Sequence, residues 1–395
     1  MSRSYLDHAS TSVLRPQARD ALVEALVALG GDPGRIHEEG MAARVALERA
    51  REQVAGLLGA RSREVVFTSG ATESIAAAVW GATARTRGRA GQREGHDATD
   101  GTVHHVVTAV EHSAVRHSSE RAGDVTIVPV DGGGRVDADA VLASIGPNTA
   151  AVHVQWGNHE VGTIQPVVDV VAGCRERGVL VHVDAAQAAG RVPIAFTELG
   201  ADLLSLSGHK LGGPAGTGAL LVRRGLRLPP LLLGGDQERA RRAGLEPVAQ
   251  LVAFGAACAA LTEPVDDASS VTRLDAEMAE SVRLTDRIRS VLRGIEGVTE
   301  YGDPQHRLPH LVCVGVEGVE PQGVLLGLDR AGVAAHSGSA CSSESLEPSP
   351  VLDAMGVDAH HSLRLSVGWN TTDADVDRLA AALPEVVDGL RALAR

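Results

Sequence analysis

The stretch Ser205-Leu-Ser-Gly-His-Lys210, followed by Leu211-Gly-Gly-Pro-Ala-Gly-Thr-Gly218, decides how the rest of the chain is interpreted. Residues 201–206 form a mostly apolar run of strand length, and the glycines behind it prevent the strand from continuing. The pattern predicts that Lys210 lies on a sharp turn at the end of a strand. A lysine there can be a nucleophile, because burial and nearby positive charge lower the pKa of its amine. Taken alone, a lysine is more often an exposed surface residue.

Short apolar segments alternate with helical or loop segments on both sides of this turn. The alternation predicts an α/β fold, in which helices cover a mainly parallel seven-stranded sheet. The predicted strands are 65–68, 103–108, 125–130, 150–155, 179–184, 202–206 and 218–222. Residues 85–101 are rich in Arg, Gly, Asp and Thr without periodicity, so we expect a flexible surface loop there.

The character of the sequence changes near Thr262, where Glu263-Pro-Val-Asp-Asp267 precedes a long helical pattern. We predict a large domain at 15–262, and a smaller α+β domain that combines 1–14 with 263–395. The smaller domain is expected to contain strands 311–316, 333–336 and 362–367. It also ends in a helix capped by Thr372.

Composition limits the classes of function. The chain has 395 residues, of which 44% are hydrophobic, and a net charge of −13, which argues against a direct nucleic-acid partner. The N-terminus lacks an apolar signal core and no apolar run reaches the ~18 residues of a membrane span, so we predict a cytoplasmic protein without membrane contact. The four cysteines are far apart and form no Cys-x-x-Cys pair. We therefore predict neither a disulfide framework nor a structural zinc site, and we assign no metal ligands.

A second candidate feature is the turn Ser69-Gly-Ala-Thr-Glu73, which follows a strand and precedes a helix at 74–84. Free N–H groups and the positive end of the helix dipole favour a phosphate at such a turn, and the Thr72 hydroxyl could add a donor. An ordinary capped helix start would look the same.

Asp184 ends the apolar strand 179–184, one strand–helix unit before Lys210. An aspartate at the carboxyl end of a strand in an open α/β sheet points into the ligand crevice. A buried carboxylate there needs a cationic partner, and a protonated pyridine nitrogen of pyridoxal phosphate (PLP) would serve. The alternative is an aspartate that caps the following helix.

Three further side chains could take part in chemistry. His112 follows a strand and could stack on a ring or move protons, although a histidine in that position is more often simply hydrogen-bonded. Cys341 lies among small polar residues, which suggests an exposed thiol, whereas Cys258 and Cys313 lie in apolar runs. Arg364, on an apolar strand, could bind a carboxylate through two hydrogen bonds or form a structural ion pair.

Taken together, the motifs resemble those of the cysteine desulfurases, PLP-dependent enzymes of the class V aminotransferase group with the type I fold. The resemblance spans nearly the whole chain. The segment around Cys341 is similar to that of the group of these enzymes that supplies sulfur for iron–sulfur assembly. The motifs that carry it are Tyr5-Leu-Asp-His-Ala-Ser-Thr11, Ser69-Gly-Ala-Thr-Glu73, Glu111-His112, Glu160-Val-Gly-Thr-Ile-Gln-Pro166, His182-Val-Asp-Ala-Ala-Gln187, Ser207-Gly-His-Lys210, Ser337-Gly-Ser-Ala-Cys341 and Arg364-Leu-Ser-Val-Gly368.

This resemblance implies that Lys210 holds PLP as a Schiff base and acts as general base, with His112 stacked on the ring. L-cysteine is converted to L-alanine, and the sulfur remains as a persulfide on Cys341 until a protein acceptor or scaffold takes it. A homodimer is also implied. The implied cofactor-binding residues are Gly70, Ala71, Thr72, His112, His159, Asp184, Gln187, Ser207, His209 and Lys210, and the implied substrate-binding residues are Arg364 and Asn158.

Several positions depart from the family pattern, including Asp236, where the family has glycine. His159 stands where an asparagine is usual, Leu245 stands where a threonine reaches the phosphate of the partner subunit's cofactor, and Asp32 replaces an asparagine. These departures leave two alternatives. One is a selenocysteine lyase or another PLP-dependent lyase or aminotransferase of the same group, and the other is a degenerate, non-catalytic binding partner.

Overall fold

The structure, a computed structural model, describes residues 3–90, 102–266, 269–337 and 348–393. The strands are β1 Ser4–Tyr5, β2 Val65–Thr68, β3 His104–Thr108, β4 Asp124–Val128, β5 Thr149–Gln155, β6 Leu180–Asp184, β7 Leu203–Ser207, β8 Gly218–Val222, β9 Val298–Tyr301, β10 Leu311–Val316, β11 Val333–Ala334 and β12 Ser362–Ser366. The helices are α1 Pro16–Ala28, α2 Glu38–Leu57, α3 Ala71–Ala90, α4 Ser113–Ala122, α5 Ala138–Ala143, α6 Val167–Glu176, α7 Phe196–Leu199, α8 Gln237–Ala240, α9 Val248–Thr262, α10 Arg273–Arg293, α11 Pro321–Arg330, α12 Pro350–Ala354 and α13 Asp373–Leu393.

The main sheet has seven strands in the order β2-β8-β7-β6-β5-β3-β4. Strands β4, β3, β5, β6 and β7 are parallel, whereas β8 runs antiparallel to both β7 and β2. The predicted α/β class and mainly parallel sheet are therefore confirmed.

The carboxyl ends of the parallel strands determine where a site can form. Thr108, Gln155, Asp184 and Ser207 are the last residues of β3, β5, β6 and β7, so they lie along one edge of the sheet. In an open α/β sheet, ligands bind in the crevice beyond this edge. The apolar residues before these polar ends are buried between the helical layers, which fixes the edge in place.

Helix α3 is longer than the sequence predicted. It continues to Ala90, so the expectation of a loop from residue 85 is wrong for 85–90, while 91–101 lie outside the described residues. Two interactions hold this extension: Arg87 Nη2 donates to the main-chain oxygen of Ala122 at 3.1 Å, and Thr86 Oγ1 donates to that of Ala82 at 3.0 Å. Arginine and alanine also favour helix, and no proline interrupts this stretch.

A second core forms around the three-stranded antiparallel sheet β12-β10-β9 and the helices α10, α11 and α13. Strand β1 pairs in parallel with β11, so residues near the start of the chain join this second core. This pairing supports the assignment of 1–14 and 263–395 to one domain, which remains a proposal. Strands β1 and β9 were not predicted, because one has two residues and the other is short, with no buried residue to give an apolar run. In the part of the chain that is described, no helix combines the length and apolarity needed to cross a bilayer.

Candidate active site

A cavity of about 500 Å³ lies at the carboxyl edge of the main sheet. Most of the residues proposed for cofactor and substrate meet in its wall. Those that line it are Gly70, Ala71, Thr72, His112, His159, Asp184, Gln187, Ser207, His209, Lys210 and Arg364. The structure thus brings these distant motifs together around one space, and their individual roles remain proposals.

Lys210 ends a single turn of 3₁₀-helix that follows β7 directly. Its Nζ donates to the main-chain oxygens of Ala9 and Ser10, the latter at 2.8 Å. The main chain of Ser12 donates to the oxygen of His209 at 2.8 Å, so the segment before α1 packs on the lysine turn. The N-terminal segment thus fixes the position of the amine.

Burial lowers the pKa of Lys210 from 10.5 to about 8, and the positive charges of Arg364 and Arg191 add to this effect. Asp7 and Asp184 act in the opposite direction. Near neutral pH a useful fraction of the amine is consequently unprotonated, and only that form can act as a nucleophile or a base.

Asp184 is 7% exposed at the end of β6. Its Oδ1 accepts hydrogen bonds from the main chain of Ala186 at 3.0 Å and from Ser205 Oγ at 3.3 Å. The two readings of Asp184, as a local cap and as a cavity carboxylate, are therefore compatible, because it bonds the following turn and also lines the cavity.

The turn at residues 69–73, which we call the anion turn, places the N-terminus of α3 against β8. Gly70 has φ +155°, a region that other residues rarely adopt. A Cβ on Gly218 would lie 2.5 Å from Gly70 Cα, so β8 and the turn pack with main chain against main chain. Helix α3 then presents its first N–H groups at the cavity, which suits a phosphate.

His112 and His159 face each other edge to face across the cavity wall, with ring centroids 5.3 Å apart. His112 is also the N-cap of α4, because its Nδ1 accepts from the main chain of Ala114 at 3.1 Å. This hydrogen bond fixes the plane of its imidazole. His159 thus lines the cavity at the position where the resembling family has an asparagine.

Two predicted residues already have partners in the protein. Gln187 donates through Nε2 to the oxygen of Ala9 at 2.8 Å, and His310 lies 3.3 Å from its Oε1. Asn158 is buried outside the lining of the cavity, where its amide donates to Val110 and accepts from the main chain of its own turn. The role proposed for Asn158 in substrate binding therefore requires it to act through the turn that carries His159.

Arg364 is 1% exposed and still lines the cavity. Its guanidinium donates to Asp7 at 3.0 Å, to Ser10 Oγ at 2.8 Å and to the main-chain oxygen of His159 at 2.9 Å. Nε is buried without a hydrogen-bond partner among the described residues. The guanidinium is thus held rigidly and keeps donor capacity, as the binding of a carboxylate requires.

Glu111 was missed as a functional candidate. Its Oε1 accepts from Thr108 Oγ1 and from the main chain of Gln155, both at 2.7 Å, and its Oε2 is buried without a partner among the described residues. Burial, together with the charge of Asp184, raises the pKa of Glu111 to about 8. The available signal was its position next to His112, directly after a strand.

The predicted cysteine nucleophile, Cys341, lies outside the described residues. Cys174, Cys258 and Cys313 are buried and free. Burial raises the pKa of all three thiols, that of Cys174 to about 12, so they are unreactive near neutral pH. The expectation that Cys258 and Cys313 are inert core thiols is confirmed by their burial.

The cavity fits PLP on features of the structure itself. A lysine with a lowered pKa, a helix N-terminus and a buried carboxylate line the same space, at Lys210, α3 and Asp184. These groups match an aldehyde, a phosphate and a protonated ring nitrogen. Gly218 completes the fit, because it allows β8 to approach the turn that would hold the phosphate.

Comparison with known proteins agrees with this geometry. Residues 4–379 match the model of the aminotransferase class-V family, so the chain belongs to that family, whose members depend on PLP. The predicted resemblance and the predicted cofactor are thereby confirmed.

Three relatives show which members of the family this chain is similar to. A cysteine desulfurase of Trichormus azollae is 38% identical over 401 residues, which cover 100% of this chain and 95% of that protein. A solved structure of a NifS-like protein superposes with a TM-score of 0.86 at 28% identity, covering 98% of this chain and 100% of the other. The structure of SspA in complex with cysteine gives a TM-score of 0.76 at 28% identity, covering 92% of this chain and 98% of the other.

Proposed function

We propose that the protein is a PLP-dependent cysteine desulfurase, which converts L-cysteine to L-alanine and retains the sulfur as a persulfide on Cys341. The observation that carries the proposal is the position of Lys210. Its amine, with a pKa of about 8, lies in one cavity with Asp184, the α3 N-terminus and Arg364. The relatives named cysteine desulfurases, which align over the whole chain, support the choice of reaction within the family.

When bound, PLP supplies an electron sink that makes a proton on the substrate Cα removable. The protein supplies the remaining parts. Arg364 binds the α-carboxylate and orients the amino acid, and the unprotonated amine of Lys210 takes the proton from Cα. Asp184 would pair with a positive charge on the ring nitrogen, and the turn Gly70-Ala-Thr72 with Ser207 and His209 would hold the phosphate. His112, whose imidazole plane is fixed by the Ala114 amide, would hold the ring of the cofactor by stacking.

The sulfur step requires no oxidant. The Cys341 thiolate attacks the sulfur of L-cysteine, so an S–S bond forms while the Cβ–S bond breaks. The electron pair of the broken bond stays with the carbon, which takes up a proton and leaves as alanine. The buried thiols Cys174, Cys258 and Cys313 cannot take this role.

The sulfur acceptor belongs to the proposal as a class: a protein carrier or scaffold whose nucleophile attacks the outer sulfur of the persulfide. We further propose that the enzyme acts in the cytoplasm as a homodimer. Leu245 is 62% exposed in the single chain. Because leucine has no side-chain donor, each subunit would complete its phosphate site without a hydrogen bond from the partner's residue 245.

The test uses the full chain loaded with PLP and supplied with L-cysteine. We expect a yellow protein that produces one alanine for each persulfide sulfur, with the first sulfur found on Cys341 by mass spectrometry. The Lys210→Ala variant should lose both the bound-cofactor absorbance and the alanine. A protein that takes up no PLP would overturn the proposal.

Cys341→Ala, with Cys174→Ala as the matched control, tests the particular reaction. We expect Cys341→Ala to abolish desulfuration of L-cysteine and Cys174→Ala to retain it. Full turnover by Cys341→Ala would favour a lyase that needs no persulfide on this residue, such as one that cleaves selenocysteine. A protein that binds PLP and turns over no sulfur or selenium amino acid would instead be a non-catalytic relative.

A further inference from the structure

Three buried histidines form a continuous hydrogen-bonded chain inside the main sheet. His105, His153 and His182 lie on the neighbouring strands β3, β5 and β6, and each has 0% exposure. Their ring centroids are 5.2 Å apart at both steps. Imidazoles are costly in an apolar core unless their nitrogens are bonded, so this alignment requires an explanation beyond packing.

Five hydrogen bonds connect the helix layer to the cavity. Thr83 Oγ1 of α3 lies 2.9 Å from His105 Nε2, and His105 Nδ1 lies 3.0 Å from His153 Nε2. His153 Nδ1 then lies 3.1 Å from His182 Nδ1, whose Nε2 is 3.1 Å from Ser205 Oγ. Ser205 finally donates to Asp184 Oδ1 at 3.3 Å. The chain therefore ends on the carboxylate proposed to face the cofactor ring.

The ionised carboxylate of Asp184 determines the direction of every bond. The carboxylate of Asp184 can only accept hydrogen bonds, so the Ser205 hydroxyl must donate its single proton to Asp184. His182 Nε2 must then donate to Ser205 Oγ. A neutral His182 then accepts at Nδ1, so His153 donates from Nδ1 and accepts at Nε2. By the same step His105 donates from Nδ1, and Thr83 donates to His105 Nε2.

The histidines are neutral in this arrangement. Burial lowers the pKa of His105 to about 4 and that of His182 to about 4, and it lowers the pKa of His153 well below its usual value. The geometry excludes charge on two adjacent histidines, since each nitrogen–nitrogen contact has room for one proton. Two adjacent imidazolium rings in this core would repel each other without solvent screening.

We propose that His182, His153 and His105 are positioning residues, which form a one-way hydrogen-bond relay that orients Ser205 and stabilises the charged carboxylate of Asp184. Aligned bonds of this kind polarise one another, so the relay makes Asp184 a better partner for a positive ring nitrogen than a single hydroxyl would. The proposal rests on the proposed function only in taking Asp184 to face the PLP ring.

The direct test is a determination of the histidine tautomers by NMR of the full chain labelled with nitrogen-15 at histidine. Spectra are recorded near neutral pH with PLP bound and after its removal, and signals are assigned from single His→Gln variants. We expect the proton on Nε2 of His182 and on Nδ1 of both His153 and His105. A proton on Nδ1 of His182 in the loaded protein would overturn the relay.

Two carboxylate-to-amide variants test the coupling. Asp184→Asn removes the charge that sets the direction, so we expect the signals of all three histidines to move. Asp202→Asn is the matched control. Asp202 is buried beside the same strands, but its carboxylate accepts hydrogen bonds from Val181 and Arg223, which lie outside the relay. Unchanged signals of His153 and His105 in Asp184→Asn would contradict the proposal.

Affinity for PLP, followed by visible absorbance, gives the functional readout. His153→Leu breaks the relay two bonds from Ser205, and we expect PLP to bind about threefold to tenfold more weakly. His153→Gln keeps a donor and an acceptor and should bind within about twofold of the original protein. If His153→Leu lowers the melting temperature with unchanged affinity, the histidine is merely structural. Failure of the original protein to bind PLP would refute the proposed function, whereas the tautomers of the PLP-free protein would still test the relay.

Discussion

Lys210 Nζ donates a 2.8 Å hydrogen bond to the main-chain oxygen of Ser10, although 200 residues separate the two along the chain. The side chain of Ser10 accepts from Arg364 at 2.8 Å. One N-terminal residue therefore bridges the proposed Schiff-base lysine and the proposed carboxylate-binding arginine. The N-terminal segment thereby positions the amine, and the nearby guanidinium contributes to its lowered pKa.

The pH dependence of PLP uptake should reflect this lowered pKa. Only the unprotonated amine reacts, so the rate of uptake should rise with pH and level off above the pKa of Lys210, about 8. Arg364→Gln removes a positive charge near the amine, so the midpoint of the curve of uptake rate against pH should move to higher pH. Absorbance-monitored mixing across about pH 6 to about pH 10 measures both curves. Arg19→Gln, a change at an exposed arginine, should keep the original midpoint, and an unshifted midpoint in Arg364→Gln would contradict this account.

Glu111 should make the protein less stable as pH rises. The pKa of its carboxyl is about 8 in the folded state and ordinary when unfolded, so the native state holds an extra proton between about pH 4.5 and 8. In that window the free energy of unfolding falls with rising pH, by up to about 1.4 kcal/mol per pH unit from this one group. Glu111→Gln mimics the protonated form and should flatten this slope.

Urea unfolding of both proteins at several pH values checks the prediction for Glu111. Glu198→Gln, at an exposed carboxylate, serves as control and should leave the slope unchanged. A Glu111→Gln protein with the same pH slope as the original would mean that Glu111 is already ionised in the fold.

Gly218→Ala should disturb the anion turn. The added Cβ would lie 2.5 Å from Gly70 Cα and 2.7 Å from the Leu206 main-chain oxygen, closer than such atoms can approach. We expect the turn to shift and the affinity for PLP or inorganic phosphate to fall about tenfold or more, as expected for the loss of a few charge-assisted hydrogen bonds. Gly56→Ala, in a helix with open space around it, should keep that affinity. Equal binding by Gly218→Ala would show that the turn does not hold phosphate.

The buried pair Arg51–Glu238 should be critical for stability. Arg51 donates to the two carboxylate oxygens at 2.6 and 2.7 Å, and both side chains are almost fully buried. Glu238, Arg239 and Ala240 have φ of 49°, 59° and 60°, a strained main chain that this pair holds in place. Glu238→Gln leaves buried Arg51 with only the partly exposed Glu48 as an anionic partner, at 3.2 Å, and should cost about 3 kcal/mol of unfolding free energy.

Chemical denaturation of Glu238→Gln measures that cost, and Asp377→Asn at an exposed ion pair is the control expected to change little. A loss as small as that of the control would show that the strained turn is held by other contacts.

Alkylation should distinguish Cys341 from the other cysteines. Cys174, Cys258 and Cys313 are buried, and burial raises their thiol pKa values. A brief exposure of native protein to iodoacetamide near neutral pH should therefore modify Cys341 first, as peptide mass spectrometry would reveal. Modification of Cys174 at a similar rate would contradict the burial argument.

The local sequence predicted the parts of this protein that depend on short-range patterns. Apolar runs located the seven strands of the main sheet to within two residues, because strand length and glycine-rich stops are local properties. The turn at Gly70, the strand-end Asp184 and Lys210 all lie at the ends of such runs, so the candidate site could be anticipated. Helix α3 past residue 84 was missed because its composition suggested a loop, and one of its two supporting contacts comes from Ala122, distant in sequence.

By itself, the sequence determined the class of fold, the family motifs and the residues able to do the chemistry. Only the tertiary structure decided their surroundings: Ser10 against Lys210, a buried Glu111, and three histidines aligned toward Asp184. The physical reason is that hydrogen bonds, burial and pKa shifts between distant residues depend on strand order and register. A sequence pattern shows where a strand ends, whereas its neighbours in the sheet are fixed by the packing of the whole chain.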